Sequence, residues 1–123
     1  MKKLQPKLQE HKMLDNQGAY QKLIPNVDLG LIEVLEELQS QKMLSVMTPY
    51  HIFTEIPDEL NYILIELTIY RYNIVGSEGL IKEDKLGVDE YDTSYEERLL
   101  NKSEDYAQGI SDTINNNWKI QFL

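Results

Sequence analysis

The segment from Pro57 to Gly76 constrains the fold of this chain most, because its apolar residues follow a helical repeat on more than one side. Pro57 suits the first position of a helix, and Asp58 and Glu59 would lie at the positive end of the helix dipole. A helix that is apolar on most sides is either central in a bundle or covered by neighbouring subunits. Its first apolar stripe is Leu60, Ile63, Leu64, Leu67, Tyr70 and Ile74, and its second is Ile65, Ile69 and Tyr72.

An earlier helix is predicted from about Asn26 to about Leu44, where apolar residues recur with a 3.6-residue period. Asn26 or Asp28 can cap its N-terminus. Its predicted core face holds Val27, Leu31, Ile32, Val34, Leu35 and Leu38, and its predicted solvent face holds Glu33, Glu36, Glu37 and Gln39. The following stretch, Met47–Thr54, is predicted to be an apolar connector that lies against the core.

A later helix is predicted to begin at Ser94, because Ser94 and Glu97 have the spacing of a capping box. Gly76 is expected to end the central helix, so that residues 76–93 form a long loop. The last residues, 118–123, alternate apolar and polar side chains after an asparagine run, which favours an extended tail. The fold class predicted is all-α: a small bundle of about four helices with a long loop after the central helix and an extended C-terminal tail.

Charge divides the 123-residue chain into unlike parts. The formal net charge is −9, yet residues 1–25 carry +3 and the remainder carries −12. We predict a basic N-terminal arm or weak helix at 1–25, a helical domain at 26–110 and a C-terminal tail at 111–123. An acidic chain lacks the basic face that general nucleic-acid binding and anionic membranes require. We also expect no membrane span.

Residues with catalytic or metal-binding chemistry are sparse. The chain has no cysteine, and its two histidines, His11 and His51, have no second ligand at metal spacing. No glycine-rich phosphate loop is present. The sequence therefore predicts no enzyme activity, no metal and no cofactor.

A motif follows the apolar helix: Arg71-Tyr72-Asn73, two residues, then Gly76-Ser77-Glu78-Gly79. An acidic residue at Glu83 or Asp84, then Gly87 and the aromatic-serine stretch Tyr91–Tyr95 come next. This pattern resembles the central helix and following turn of the tailed-phage head-tail connector proteins, over about 40 residues from Pro57 to Glu97. Two features depart from that family: residues 1–25 do not resemble its opening helix, and Leu80-Ile81-Lys82 replaces small polar residues.

The resemblance implies a structural subunit that forms a ring, commonly of twelve copies, beneath the portal protein of a virion. Its partners would be the portal protein, a stopper or tail-completion protein and further copies of itself. Such a ring extends the DNA channel, and DNA passes through without specific binding. The implied location is the head-tail interface of the virion, with the host cytoplasm as the place of assembly.

The resemblance also implies roles for particular residues. Arg71 is expected to hold Glu78 or an acidic group of a neighbouring subunit, and Asn73 to bond loop backbone. The set assigned to the turn and subunit interface is Arg71, Tyr72, Asn73, Gly76, Ser77, Glu78 and Gly79. The set assigned to portal contact is Ile110, Trp118, Ile120, Phe122 and Leu123.

Other interpretations stay open at this point. The central helix could fill the core of a monomer, and the tail could fold back on its own helices. The whole chain could instead be an acidic regulatory or DNA-mimicking protein-binding module, in which the negative surface is the active feature.

Overall fold

A computed structural model describes residues 15–90 and 94–121, and it describes side chains for residues 15–75 and 94–115. The elements are α1 (residues 15–23), α2 (Leu29–Met47), α3 (Asn61–Glu90) and α4 (Ser94–Gln121), with a short 3₁₀ helix, Asp58–Leu60, directly before α3. The described residues contain no strand, and the predicted all-α class is confirmed.

The start of α2 is set by side-chain capping and by an unusual residue before it. Asp28 precedes the helix in an extended conformation, and its carboxyl oxygen accepts a hydrogen bond of 3.2 Å from the Leu31 amide. Asp28, one of the two predicted caps, is therefore confirmed. Asn26 has a positive φ of 53°, a conformation that asparagine tolerates better than most residues, and this lets the chain reverse between α1 and α2. The helix ends at Met47, three residues beyond the predicted Leu44.

The inward face of α2 is the predicted one only in part: Ile32 and Leu35 are buried as predicted. Val34 and Leu38 are 57% and 48% exposed, whereas Glu36 and Gln39 are 2% and 1% exposed. The prediction that Glu36 and Gln39 face solvent was wrong. Residues 32, 36, 39 and 43 share one face of a helix, and burial of the large side chains of Ile32 and Met43 carries the two polar residues inward with them.

A large apolar cluster joins α2, α3 and α4. Its buried members are Met43, Met47, Ile56, Leu60, Ile63, Leu64, Leu67, Leu99 and Ala107. It includes Leu60, Ile63, Leu64 and Leu67 of the first apolar stripe predicted for α3, which are confirmed as core. The connector between α2 and α3 also lies against this cluster as predicted, through Tyr50, Phe53 and the buried Ile56.

A small apolar cluster lies where α1, α2 and α3 meet. Tyr20, Ile24 and Ile32 are buried there, and Val27, Leu29, Ile65, Ile69 and Tyr72 pack against them. The second apolar stripe of α3 is thus covered by α1 and α2 of the same chain, so that stripe does not itself require a neighbouring subunit. Residues 15–24 form a packed element rather than an arm, and residues 1–14 lie outside the described part.

The predicted loop after the central helix was wrong for residues 76–90. The α3 helix continues through Gly76 and Gly79 to Glu90. A helical glycine costs only about 1 kcal/mol relative to alanine. Strong helix formers surround these glycines, among them Glu78, Leu80, Lys82, Glu83, Lys85 and Leu86. Residues 91–93 lie outside the described part.

The start of α4 is tied to α3 by two aromatic side chains. Tyr95 packs its ring 4.8 Å from that of Tyr70.

The predicted extended tail was also wrong, as far as the structure describes it. The helix α4 continues to Gln121, through the asparagine run. Once a helix has formed, each further residue adds a hydrogen bond without a new nucleation cost, and asparagine in a helix is only mildly unfavourable. Phe122 and Leu123 lie outside the described residues.

Candidate interaction surfaces

A polar cluster of Asn16, Tyr20, Glu36 and Asn61 connects α1, α2 and α3 beside the small apolar cluster. One carboxyl oxygen of Glu36 accepts hydrogen bonds from the Tyr20 hydroxyl at 2.5 Å and from the Asn16 amide at 2.9 Å. Asn16 and Asn61 exchange amide hydrogen bonds of 3.1 Å and 2.8 Å. These hydrogen bonds join polar groups that are mostly buried. They hold α1 in one specific orientation against α2 and α3.

The Tyr20 hydroxyl is held in its neutral form. Burial raises the pKa of Tyr20 far above its ordinary value of 10.0, and the neighbouring charge and hydrogen bond of Glu36 raise it further. Hydrogen bonds with Thr68 and Asn16 act in the opposite direction, with smaller effect. Tyr20 therefore stays a hydrogen-bond donor to Glu36 in neutral and mildly alkaline solution.

The opposite side of α2 carries an apolar surface, which we call the α2 outer stripe: Leu31, Val34 and Leu38. Leu31 is half-buried, and the other two are the exposed apolar side chains already described. Charged residues flank the stripe, with Glu37 on one side and Lys42 on the other. Exposed apolar residues grouped on one helix face mark interaction sites more often than scattered ones.

The C-terminal half of α4 forms a second surface, which we call the α4 overhang: residues 108–121. The inward side of α4 is buried at Leu99, Ser103 and Ala107. The same side continues to Ile110, which is half-buried, and to Ile114, which is 51% exposed. No residue between 108 and 115 is buried, so this part of α4, about 12 Å long at 1.5 Å per residue, adds no buried side chain to the core.

Three tyrosines anchor the rest of α4. Tyr50 donates to Glu104 at 2.9 Å, and Tyr95 donates to Glu66 at 3.1 Å. The hydrogen bond to Glu104 raises the pKa of Tyr50, and burial followed by the charge of Glu66 raises that of Tyr95. The third, Tyr106, packs against Phe53 with ring centres 6.2 Å apart. The direction of the α4 overhang is thereby set by its anchored half.

The residues predicted for the turn lie within α3. The hydroxyl oxygen of Tyr72 accepts a hydrogen bond of 2.9 Å from the backbone amide of Asp28, which ties α3 to the start of α2. Arg71 is half-buried and Asn73 is exposed. Gly76, Ser77, Glu78 and Gly79 belong to the helix rather than to a turn after it. The Glu78 side chain is outside the described part, so its pairing with Arg71 stays a prediction.

The residues predicted for portal contact divide into three groups. Ile110 lies at the start of the α4 overhang, as described above. Trp118 and Ile120 are helical rather than extended, and Trp118 follows Ile114 by four residues, which is the helical repeat. Phe122 and Leu123 lie outside the described residues. The structure thus places Ile110, Ile114 and Trp118 in one helical register.

Sequence reasoning missed the polar cluster and the α2 outer stripe. Ser40 and Thr68, both buried, were likewise not identified as core residues. One signal could have found the inward face: Ile32, Leu35, Met43 and Met47 share a helix face with Glu36 and Gln39. Extending the predicted helix from Leu44 to Met47 would have added a fourth large apolar residue to that face.

The described ranges contain no group of three or more His, Cys, Asp or Glu residues arranged to hold a metal ion. Among the helices of these ranges, none combines the length and hydropathy needed to cross a bilayer. Comparison of the chain with protein-family models, with curated proteins and with solved structures finds no match.

Proposed function

We propose that this chain is a structural subunit of a phage head-tail connector: it binds a portal protein, forms a ring with further copies and joins head to tail. The proposal starts from the resemblance of Pro57–Gly79 to that family. The small helical bundle is compatible with it. The chain would carry out no chemistry, and its work would be done by surfaces that bind other proteins.

The observation that carries the proposal is the α4 overhang. Its apolar side continues the buried side of α4 beyond the last buried residue, Ala107, to Ile114, which is 51% exposed. An amphipathic helix with apolar residues at i and i+4 can lie in a groove of a larger protein. Ile110 and Ile114 have this spacing, and Trp118 extends it by one further turn. The portal would supply the groove.

The acidic charge supports a channel function in the same proposal. A wall of negative charge repels phosphate, so DNA moves past it without being held. The net charge of −9 on each subunit is repeated by every copy in a ring. The stopper or tail-completion protein would bind the ring on the side away from the portal.

The direct test is binding of the purified chain to the portal protein encoded in the same genome, followed by electron microscopy. The wild-type chain should add a layer to the portal ring. Ile114→Asp should weaken portal binding by at least tenfold, because it places a charge in an apolar contact. The matched control is Asn115→Asp, which adds the same charge at an exposed neighbouring position and should bind as the wild type does.

Each outcome separates a different part of the proposal. No binding of the wild-type chain to the portal would contradict the connector function. Normal binding of Ile114→Asp would retain the connector function and reject the role of the α4 overhang. Competition by the chain for a basic DNA-binding protein, without portal binding, would instead favour a DNA-mimicking module.

A further inference from the structure

We propose that the α2 outer stripe binds the same stripe of a second copy, with the two α2 helices parallel. This goes beyond the connector function and does not depend on it. The first observation is that α2 buries the polar Glu36 and Gln39 and exposes the apolar Val34 and Leu38. The chain thus leaves apolar side chains in solvent on a helix that also buries polar ones.

The spacing of the stripe is that of a helix pair. Leu31, Val34 and Leu38 lie three and four residues apart, which is the a and d pattern of a coiled coil. Gln41, which is polar, occupies the next d position, so the α2 outer stripe is apolar over about two helical turns. Side chains on this stripe would pack between those of the partner helix.

The charged residues on either side of the α2 outer stripe favour a second copy as the partner and a parallel arrangement of the two helices. Glu37 precedes Leu38 at a g position, and Lys42 follows Gln41 at an e position. In a parallel pair the g residue of one helix faces the e residue five positions later in the other. Glu37 of each copy would face Lys42 of the other, twice in each pair. An antiparallel pair would instead set Glu37 against Glu37.

Lys42 is exposed and Glu37 is half-buried, so solvent reaches both charged side chains. Lys42 has 47% of its side chain exposed, and its amino group is 4.0 Å from a Glu96 carboxyl oxygen, a long ion pair. Glu37 accepts a 3.2 Å hydrogen bond from the Gln41 side chain on the same helix. In the pair, the Lys42 amino group would exchange its long contact with Glu96 for Glu37 of the second copy.

The size of the stripe sets the expected affinity. Three apolar side chains from each copy bury less than the roughly 1,200 Å² of a stable interface. We therefore expect a weak pair, with a dissociation constant on the order of 100 μM.

Cross-linking tests the pairing and its direction together. The chain has no cysteine, so a single introduced one reports its own contacts. Leu38→Cys should form a disulfide-linked dimer under mild oxidation, because position 38 meets position 38 in a parallel pair. The matched control, Glu33→Cys, is exposed on the same helix but outside the stripe and should remain monomeric. Equal cross-linking of both variants would overturn the proposal.

Charge exchange tests the partner by sedimentation of the full chain over rising concentration. Glu37→Lys and Lys42→Glu should each weaken self-association on the order of tenfold, since each sets like charges opposite. An equal mixture of the two should restore a dimer with one copy of each. Association unchanged by either variant, or by Val34→Asp, would also overturn the proposal. So would a wild-type chain that stays monomeric at about 1 mM, ten times the expected dissociation constant.

Discussion

The two apolar clusters of this bundle are built by different means. The large cluster is almost wholly apolar, and its members include five residues at 0% exposure among methionine, leucine and isoleucine: Met43, Met47, Ile63, Leu64 and Leu67. The small cluster has three buried apolar residues and depends on the adjoining polar cluster around Glu36. Helix α1 is therefore held by directional bonds as well as by burial, whereas the contacts in the large cluster depend mainly on burial.

The two clusters should therefore respond differently to amino-acid substitution. An apolar cluster tolerates small shifts and loses stability in proportion to the volume removed. A buried polar cluster holds its helices in one specific arrangement. Removing one member is costly in stability, because the remaining buried polar groups then have neither water nor a partner to hydrogen-bond with. The uncovered stripe on α2 lies on the far side of the helix from the polar cluster, so burying Glu36 and exposing Val34 belong to the same orientation of α2.

The largest effect is expected in the large apolar cluster. Leu64→Ala should lower the free energy of unfolding by about 2 to 5 kcal/mol, because it leaves a cavity among fully buried side chains. Leu23→Ala makes the same chemical change at a residue that is 62% exposed and should cost less than about 0.5 kcal/mol. Urea unfolding of the two variants measures the difference. Similar losses in the two variants would show that burial in the large cluster does not set the cost of the substitution.

A somewhat smaller loss is expected in the polar cluster. Glu36→Ala should cost about 2 to 3 kcal/mol, because the Tyr20 hydroxyl and the Asn16 amide then lose their buried acceptor. Glu36→Gln keeps an acceptor oxygen and should cost less. The control is Glu33→Ala, an exposed change in the same helix, which should leave urea unfolding nearly unchanged. If Glu36→Ala matched that control, the bonds to α1 would add no stability.

The smallest effect is a change in pH dependence. The folded pKa of Tyr20 is raised, so its stabilising effect is complete below pH 10 and is lost as the unfolded chain ionises above it. Tyr20→Phe should lower stability by about 1 kcal/mol at neutral pH and should reduce the loss of stability between pH 10 and 11. The control is Tyr62→Phe, which removes a hydroxyl at a residue 49% exposed and should leave stability at neutral pH as in the wild type. Thermal unfolding at several pH values compares the three chains.

Sequence reasoning succeeded where a local signal decides the structure. The cap at Asp28, the core stripe of α3 and the packed connector Met47–Thr54 each follow from neighbouring residues. It failed for the hydrogen-bond partners of Glu36 because they are distant in sequence. Asn16 lies 20 residues before Glu36 and 45 residues before Asn61, and no periodicity reports such a contact.

The ends of α3 and α4 show a different failure. Glycine, at position 76, and asparagine, at positions 115–117, are residue types preferred at turns, so the sequence favours a helix break at both places. Each preference is worth about 1 kcal/mol or less per residue, which continuation of an existing helix overcomes. The candidate interaction surfaces could be predicted only in part: Ile110 and Trp118 were identified, whereas Val34 and Leu38 were assigned to the core.

The order of the two clusters along the chain has a consequence for synthesis on the ribosome. Every described member of the small cluster and the polar cluster lies between residues 16 and 72. The large cluster needs Leu99 and Ala107 from α4. The N-terminal part can therefore close around Glu36 while α4 is still being made, and Met43, Met47 and Leu67 must wait for the last helix. Until then, these side chains are the part of the nascent chain most in need of protection.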